Sequence, residues 1–148
     1  MGRSILAVIL GYLTLAIIVT VTLAVAYVLL GTEGAFQEGS YGITGTWIGI
    51  SFALGLIAAI LGGWICARIA PRPRPLVALV VVILVLGAVT AAVGWGTGED
   101  PGPRASDAGV LEAMQNARPP TWIAFVNPVI GVIGVLLGGR RAMRSEVA

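Results

Sequence analysis

The pair Asn127-Pro128 interrupts a long apolar stretch of this 148-residue sequence. It is where polar chemistry at membrane depth would be sought first. A proline inside a helix has no N–H to donate, so it frees a carbonyl four residues back, here around Ala124. The asparagine beside it adds a carboxamide that both donates and accepts hydrogen bonds. Together Asn127 and Pro128 make a candidate polar notch for a water, an ion or a ligand. The same pair also reads as a kink whose amide bonds a neighbouring helix. Glu99, Asp100, Asp107 and Glu112 form a second group. Such carboxylates could gather a divalent cation, and they read equally as a solvated acidic loop. Cys66, the single cysteine, lies in an apolar run, where cysteine behaves as a small hydrophobe.

Around these residues the usual catalytic partners are missing. The chain has no His and no Lys, and all nine of its basic residues are Arg. Metal and haem sites thereby lose their commonest ligand. Ser51 has no base to activate it, and neither a P-loop, a zinc motif nor a serine elbow is present. Coupled transporters and proton pumps carry ionisable residues within their spans; the apolar segments here carry none. The expectation is a non-enzymatic protein with no cofactor, no metal and no nucleic-acid partner.

The elements that must hold these residues follow from composition. Hydrophobic residues make up 57% and charged residues 11%, against roughly 45–50% and about 25% in average globular chains. So few charges cannot coat a soluble surface, whereas a bilayer removes that need. About 20 mostly apolar residues cross a membrane. Four segments qualify, at residues 4–30, 46–67, 76–95 and 121–138. The expected fold is an all-α membrane protein, a four-transmembrane-helix bundle forming one domain over residues 1–148. The first segment exceeds a signal-peptide core and is read as a retained helix. The Arg-, Ala-, Gly- and Val-rich composition fits a GC-rich bacterial genome.

Arginine placement sets the orientation. Arg3, Arg68, Arg72, Arg74, Arg140, Arg141 and Arg144 fall at one end, and Arg104 and Arg118 at the other with most of the acids. The positive-inside rule then places both termini in the cytoplasm of a bacterial inner membrane. The proline-arginine run Ile69–Pro75 ends the second span and makes a short extended turn. Arg68, Arg72, Arg74, Arg140, Arg141 and Arg144 are candidate lipid head-group contacts. Trp47, Trp95 and Trp122 are expected at the extracytoplasmic interface and Trp64 at the cytoplasmic one. The loop over residues 96–120 should contain a short amphipathic helix at Asp107–Ala117. Ser106 would be its N-cap, and Val110, Leu111, Met114 and Ala117 its apolar face.

Two further patterns concern packing. Thr-Trp-Ile opens the second and fourth segments at Thr46 and Thr121, and Leu-Gly-Gly closes both at Leu61 and Leu137. The offset of 75 drifting to 76 suggests two tandem helical hairpins related by an axis along the membrane normal. Ser51, Gly55, Ala59, Gly63 and Ala67 recur every four residues. Such a stripe lets helices approach closely, either within the bundle or against another copy. The fourth segment has a broken version in Asn127, Gly131, Gly134 and Gly138, the first offers Ala16, Thr20 and Ala24, and the third Ala88 and Ala92.

The end of the second span, Gly62-Gly63-Trp64 followed by Ala67-Arg68-Ile69-Ala70, resembles small bacterial four-span membrane proteins with a Gly-Gly-aromatic-x-x-Ala-Arg-Ile-Ala motif. The ending Asn127–Arg141 is also similar to theirs. The resemblance implies the four-span fold and supplies no activity or catalytic residue. The expected function is therefore a structural or accessory membrane subunit, with the lipid bilayer and other copies or membrane subunits as partners. The alternative is an oligomeric channel or facilitator for a small solute, lined by Thr20, Ser51, Thr90 and Asn127.

Overall fold

Apolar runs of this length have one low-energy conformation in lipid, the helix, because it satisfies every backbone polar group internally. The computed structural model describes residues 2–96, 103, 112 and 115–144. Four helices are formed: α1 (Gly2–Ala35), α2 (Gly45–Ile69), α3 (Pro73–Gly96) and α4 (Ile123–Arg144). All four are long and apolar enough to cross a membrane. The fold is an all-α four-helix bundle, as the sequence implies.

Helix ends depart from the hydropathy boundaries for local reasons. The helix proper in α1 stops after Leu30, because Gly31 adopts φ 68°, a left-handed conformation that interrupts the hydrogen-bond ladder. Helix α3 starts at Pro73, ahead of the expected Leu76; prolines suit a first turn, where no N–H partner is needed. Helix α4 begins at Ile123, after a turn at Thr121-Trp122, and continues past Gly138 to Arg144. A hydropathy span stops where charge begins, but the backbone ladder does not.

The helices alternate in direction and close a ring in the order α1, α2, α4, α3. The closest pair is α2 with α4, and the least closed side of the ring lies between α1 and α3. Since α2 and α4 both run toward the arginine end, they pack in parallel. Their contact uses small residues throughout. A methyl on Gly63 would stand 2.7 Å from Val135 Cα, and one on Gly138 would stand 3.0 Å from Ile60 Cα. One on Gly134 would meet the Leu56 carbonyl oxygen at 3.0 Å. Ala59 and Gly63 of α2 therefore lie in the contact with Gly134 and Gly138 of α4, and Ala67 and Ala142 follow one turn further on; all six are buried. Adding 75 to each residue of the α2 set gives the α4 set. The same shift exchanges the pair Gly63–Val135 with the pair Ile60–Gly138. The register of the helix contact thus coincides with the offset of the sequence repeat.

The flanking helices dock on this pair by the same means. Gly11 of α1 lies against Gly62, where an added methyl would be 2.9 Å from the Gly62 carbonyl oxygen. Pro128 of α4 packs on Gly87 of α3, and Gly139 lies under Leu76. Ala7, Ala59, Cys66, Ala70, Leu76, Leu79 and Val135 form the main core, toward the arginine end. There Arg3 Nε donates to the Ile69 carbonyl at 2.8 Å, joining the start of α1 to the end of α2.

The opposite end has an organised cap, built from the stretch between α1 and α2. Phe36 pairs with Ile43 in an antiparallel bridge, and Gly39 turns the chain with φ 63°. Thr44 caps α2: its hydroxyl donates to Gly34 O at 2.6 Å and accepts from Trp47 N at 3.2 Å. Tyr27, Ala35 and Phe36 form a second small core with Ile43, Trp47 and Ala117. The second loop is tied to the first. Gly42 bridges to Arg118, Arg118 N donates to Tyr41 O at 2.8 Å, and Tyr41 Oη donates to Glu112 Oε1 at 3.2 Å. Of the helix expected at Asp107–Ala117, Glu112 and Gln115 have helical backbone and Asn116 N donates to Glu112 O at 3.0 Å. Asn116 and Ala117 are described but lie beyond the helical backbone, and Asp107–Leu111, Ala113 and Met114, with Glu99, Asp100 and Arg104, lie outside the described residues.

The stripe on α2 therefore does two different things. Gly63 touches backbone, whereas nothing lies within 4 Å of a methyl placed on Gly55. Gly63→Leu and Gly138→Leu should each destabilise the bundle by about 1–3 kcal/mol or more, the cost of overpacking a core. Gly55→Leu should leave stability near wild type. Thermal unfolding followed by circular dichroism in detergent checks this; equal loss in all three variants would show the packing to be misassigned.

Candidate functional site

The four helices meet closely over the arginine-end half and diverge over the other half, leaving a cleft of about 330 Å³. Every helix contributes a wall. Tyr12, Leu15, Val19 and Leu23 come from α1, and Ser51, Phe52, Gly55 and Ala59 from α2. Helix α3 supplies Ile83, Leu86, Gly87 and Thr90, and α4 supplies Ala124, Asn127, Pro128, Ile130 and Gly131.

Apart from the Tyr12 phenol, the polar side chains of the lining form a layer near the acidic end. At 1.5 Å per residue, Asn127 lies about 6 Å below the start of α4, and Ser51 and Thr90 lie about 9 Å from their helix ends. The Thr90 hydroxyl is occupied, donating within its own helix to Leu86 O and Gly87 O at 3.0 and 2.9 Å. Neither the Ser51 hydroxyl nor the Asn127 carboxamide makes a hydrogen bond among the described residues. Pro128 lies inside α4, so the Ala124 carbonyl beside them loses its helical donor. The layer therefore presents donors and acceptors with capacity to spare.

Below this layer the walls are aliphatic down to Leu15, Ala59 and Ile83, with Tyr12 at the floor. Under the floor, Gly11, Cys66, Leu79 and Val135 are buried against one another. The cleft is therefore blind toward the arginine end. Among the described residues, no acidic or basic side chain lines it. Its weakest wall is the seam between α1 and α3, the least closed side of the ring.

The sequence-derived candidates separate into three groups. Asn127 and Pro128 do line one cavity, together with Ser51 and Gly55 from the upper stripe. Ala59 spans floor and core, while Gly63 lies wholly in the α2–α4 contact and Ala67 is buried one turn further on. Thr20, expected beside Ser51 and Thr90, is exposed on α1 and does not line the cleft. Arg68, Arg72, Arg74, Arg140 and Arg141 are exposed at the far end of the bundle. Arg68 lies over the Trp64 ring at 4.8 Å, a cation–π contact; the Arg144 side chain lies outside the described residues. Among the described residues, no group of three His, Cys, Asp or Glu could hold a metal ion. Trp122 stacks edge-on with Phe52, and Trp47 with Tyr27, at the acidic end; the Trp95 side chain is outside the described set.

Sequence reasoning missed Phe52, Tyr12 and Gly87. A single apolar sequence does not say which Phe or Tyr faces inward. Gly87 had a readable signal, as the glycine in the middle of α3 opposite a proline-bearing helix.

The fold and cleft define a class, an all-α bundle of four membrane-length helices with a blind, uncharged cleft. The chain matches no family model, no curated protein and no solved structure.

Cys66 is fully enclosed, while Asn127 is exposed to the cleft. The native protein should resist a small maleimide until denatured. Asn127→Cys in a Cys66→Ala background should react in the folded state. Labelling read by intact mass distinguishes the two; rapid reaction of native Cys66 would contradict the packing at Gly11 and Leu79.

Proposed function

We propose that the chain is a non-enzymatic integral protein of a bacterial cytoplasmic membrane, with both termini cytoplasmic, acting as an accessory or self-associating bundle. The orientation rests on the arginine distribution. Six arginines with described backbones before Arg144 gather at one end, while Glu33, Glu38 and Glu112 lie at the other. The non-enzymatic reading is supported by spans with no ionisable carboxylate, His, Lys or Arg.

The observation that carries the association reading is the surface of α1. Within its span only Ala7, Gly11 and Tyr27 are buried. Thr20 and Ala24, one turn apart, are exposed, as are Ala88 and Ala92 on α3. Small residues on a lipid-facing helix permit close approach by a second membrane helix. The strongest stripe, on α2, is engaged inside the bundle, which moves the candidate interface to α1 and α3. Passive solute flow, the other reading, would need a path between copies, since the cleft within one copy is blind.

A reporter fused after Ala148 should behave as cytoplasmic; periplasmic activity would overturn the orientation. Crosslinking in native membranes should capture a dimer or a complex with another membrane protein. Thr20→Leu with Ala24→Leu should weaken that product, and Gly55→Leu should not. A strictly monomeric protein without a stable partner would defeat the association reading. Liposomes containing the wild type should show no solute-selective flux.

A further inference from the structure

We infer that the cleft binds an uncharged amphiphile, a single-chain lipid with a hydroxyl or amide head, entering from the bilayer between α1 and α3. Three observations point to this class. The polar groups are layered. Ser51 Oγ, the Asn127 carboxamide and the Ala124 carbonyl lie together close to one interface, where a lipid head would sit. From Ser51 to Ala59 the wall is about 12 Å deep at 1.5 Å per residue and almost wholly apolar, as a chain pointing toward the midplane requires.

The second observation is charge. Among the described residues, no acidic or basic side chain lines the cleft. A carboxylate, phosphate or ammonium placed there would lose its hydration without a counter-charge, a cost that neutral hydrogen bonds do not recover. A hydroxyl or amide head can donate to Asn127 Oδ1 or Ala124 O and accept from Asn127 Nδ2 or Ser51 Oγ.

The third is access and fit. The cleft is closed below by Gly11, Cys66, Leu79 and Val135, and its least closed side is the α1–α3 seam, which faces lipid. At about 330 Å³ the space is at the small end of ligand pockets, roughly 300–1,000 Å³, which suits one chain and excludes a bulky head. An asparagine exposed in a soluble protein needs no partner. Here it opens onto a cavity inside a bundle whose outer surface is hydrocarbon-facing, and an amphiphile head supplies what bulk water does not. This ligand would be held by a single copy, whether or not the bundle associates.

The test uses the full chain in nanodiscs with three photoreactive twelve-carbon probes, an alcohol, a carboxylate and an amine. The alcohol should label saturably, be displaced by unlabelled dodecan-1-ol, and map to peptides of α1 and α3. The charged homologues should label at least about tenfold less, because each would shed its hydration in the cleft without a counter-charge. Gly55→Leu, which fills the cleft without touching a packed neighbour, should abolish saturable labelling. Asn127→Leu should keep the fold and lose the preference for the alcohol. Non-saturable labelling, equal labelling by the charged probes, or labelling that survives Gly55→Leu would each overturn the assignment. Near-native thermal unfolding of both variants confirms that lost labelling reflects the cleft and not the fold.

Discussion

Backbone-to-backbone contact between α2 and α4 is the constraint on which the rest depends. Lipid competes with every aliphatic side chain, so burying Leu against Leu gains little inside a bilayer. What lipid cannot reproduce is two helix backbones brought together where Gly63, Gly134 and Gly138 have no side chain. That contact fixes the parallel register, and the register places Ile60 and Val135 over one another's glycines. With the central pair fixed, α1 docks through Gly11 on Gly62 and α3 docks through Gly87 and Leu76 on α4. Each flanking contact again puts a glycine where a side chain would hold the helices apart.

The cleft follows from where those small residues stop. On α2 the stripe continues upward to Gly55 and Ser51, but the same 75-residue shift leads on α4 to Ile130 and Val126 instead of another glycine or alanine. Pro128 turns against Gly87 of α3, drawing α4 toward its hairpin partner. The helices therefore separate in the half where the polar residues lie. A single periodic pattern yields packing at one end and a cavity at the other, because the opposing helix changes character along its length.

The number of helices, their approximate extent and the importance of the α2 stripe were legible in the sequence, since apolar length and four-residue spacing are one-dimensional properties. The repeat offset was legible too, and it proves to be the contact register. Less was readable about partners. Ala142 escaped notice because the fourth span was ended at Gly138, before the first arginine, so the stripe of Asn127, Gly131, Gly134 and Gly138 was not carried on to it. Thr20 was placed with the polar lining because its depth is right, but depth does not determine the face. The hairpin at Phe36–Ile43 and its tie to Arg118 depend on Gly39 adopting a positive φ and on hydrogen bonds between distant loops, which hydropathy does not register. The candidate notch at Asn127 and Pro128 was visible as chemistry, and so was the grouping of Ser51 and Thr90 with Asn127 as a polar lining; that Gly55 shares their cavity was not.

The bundle closes unevenly along its length. Toward the arginine end α2 approaches α1 and α4 as nearly as the backbones allow, while toward the acidic end the helices enclose unfilled volume. Membrane proteins displace area separately in each leaflet, and here the unfilled volume lies in one half. Any change in the width of the cleft alters the area displaced in that half and leaves the close-packed half fixed. Lateral pressure in that one leaflet thus acts directly on the cleft, and curvature or asymmetric lipid packing becomes a force on its occupancy without touching a residue inside it.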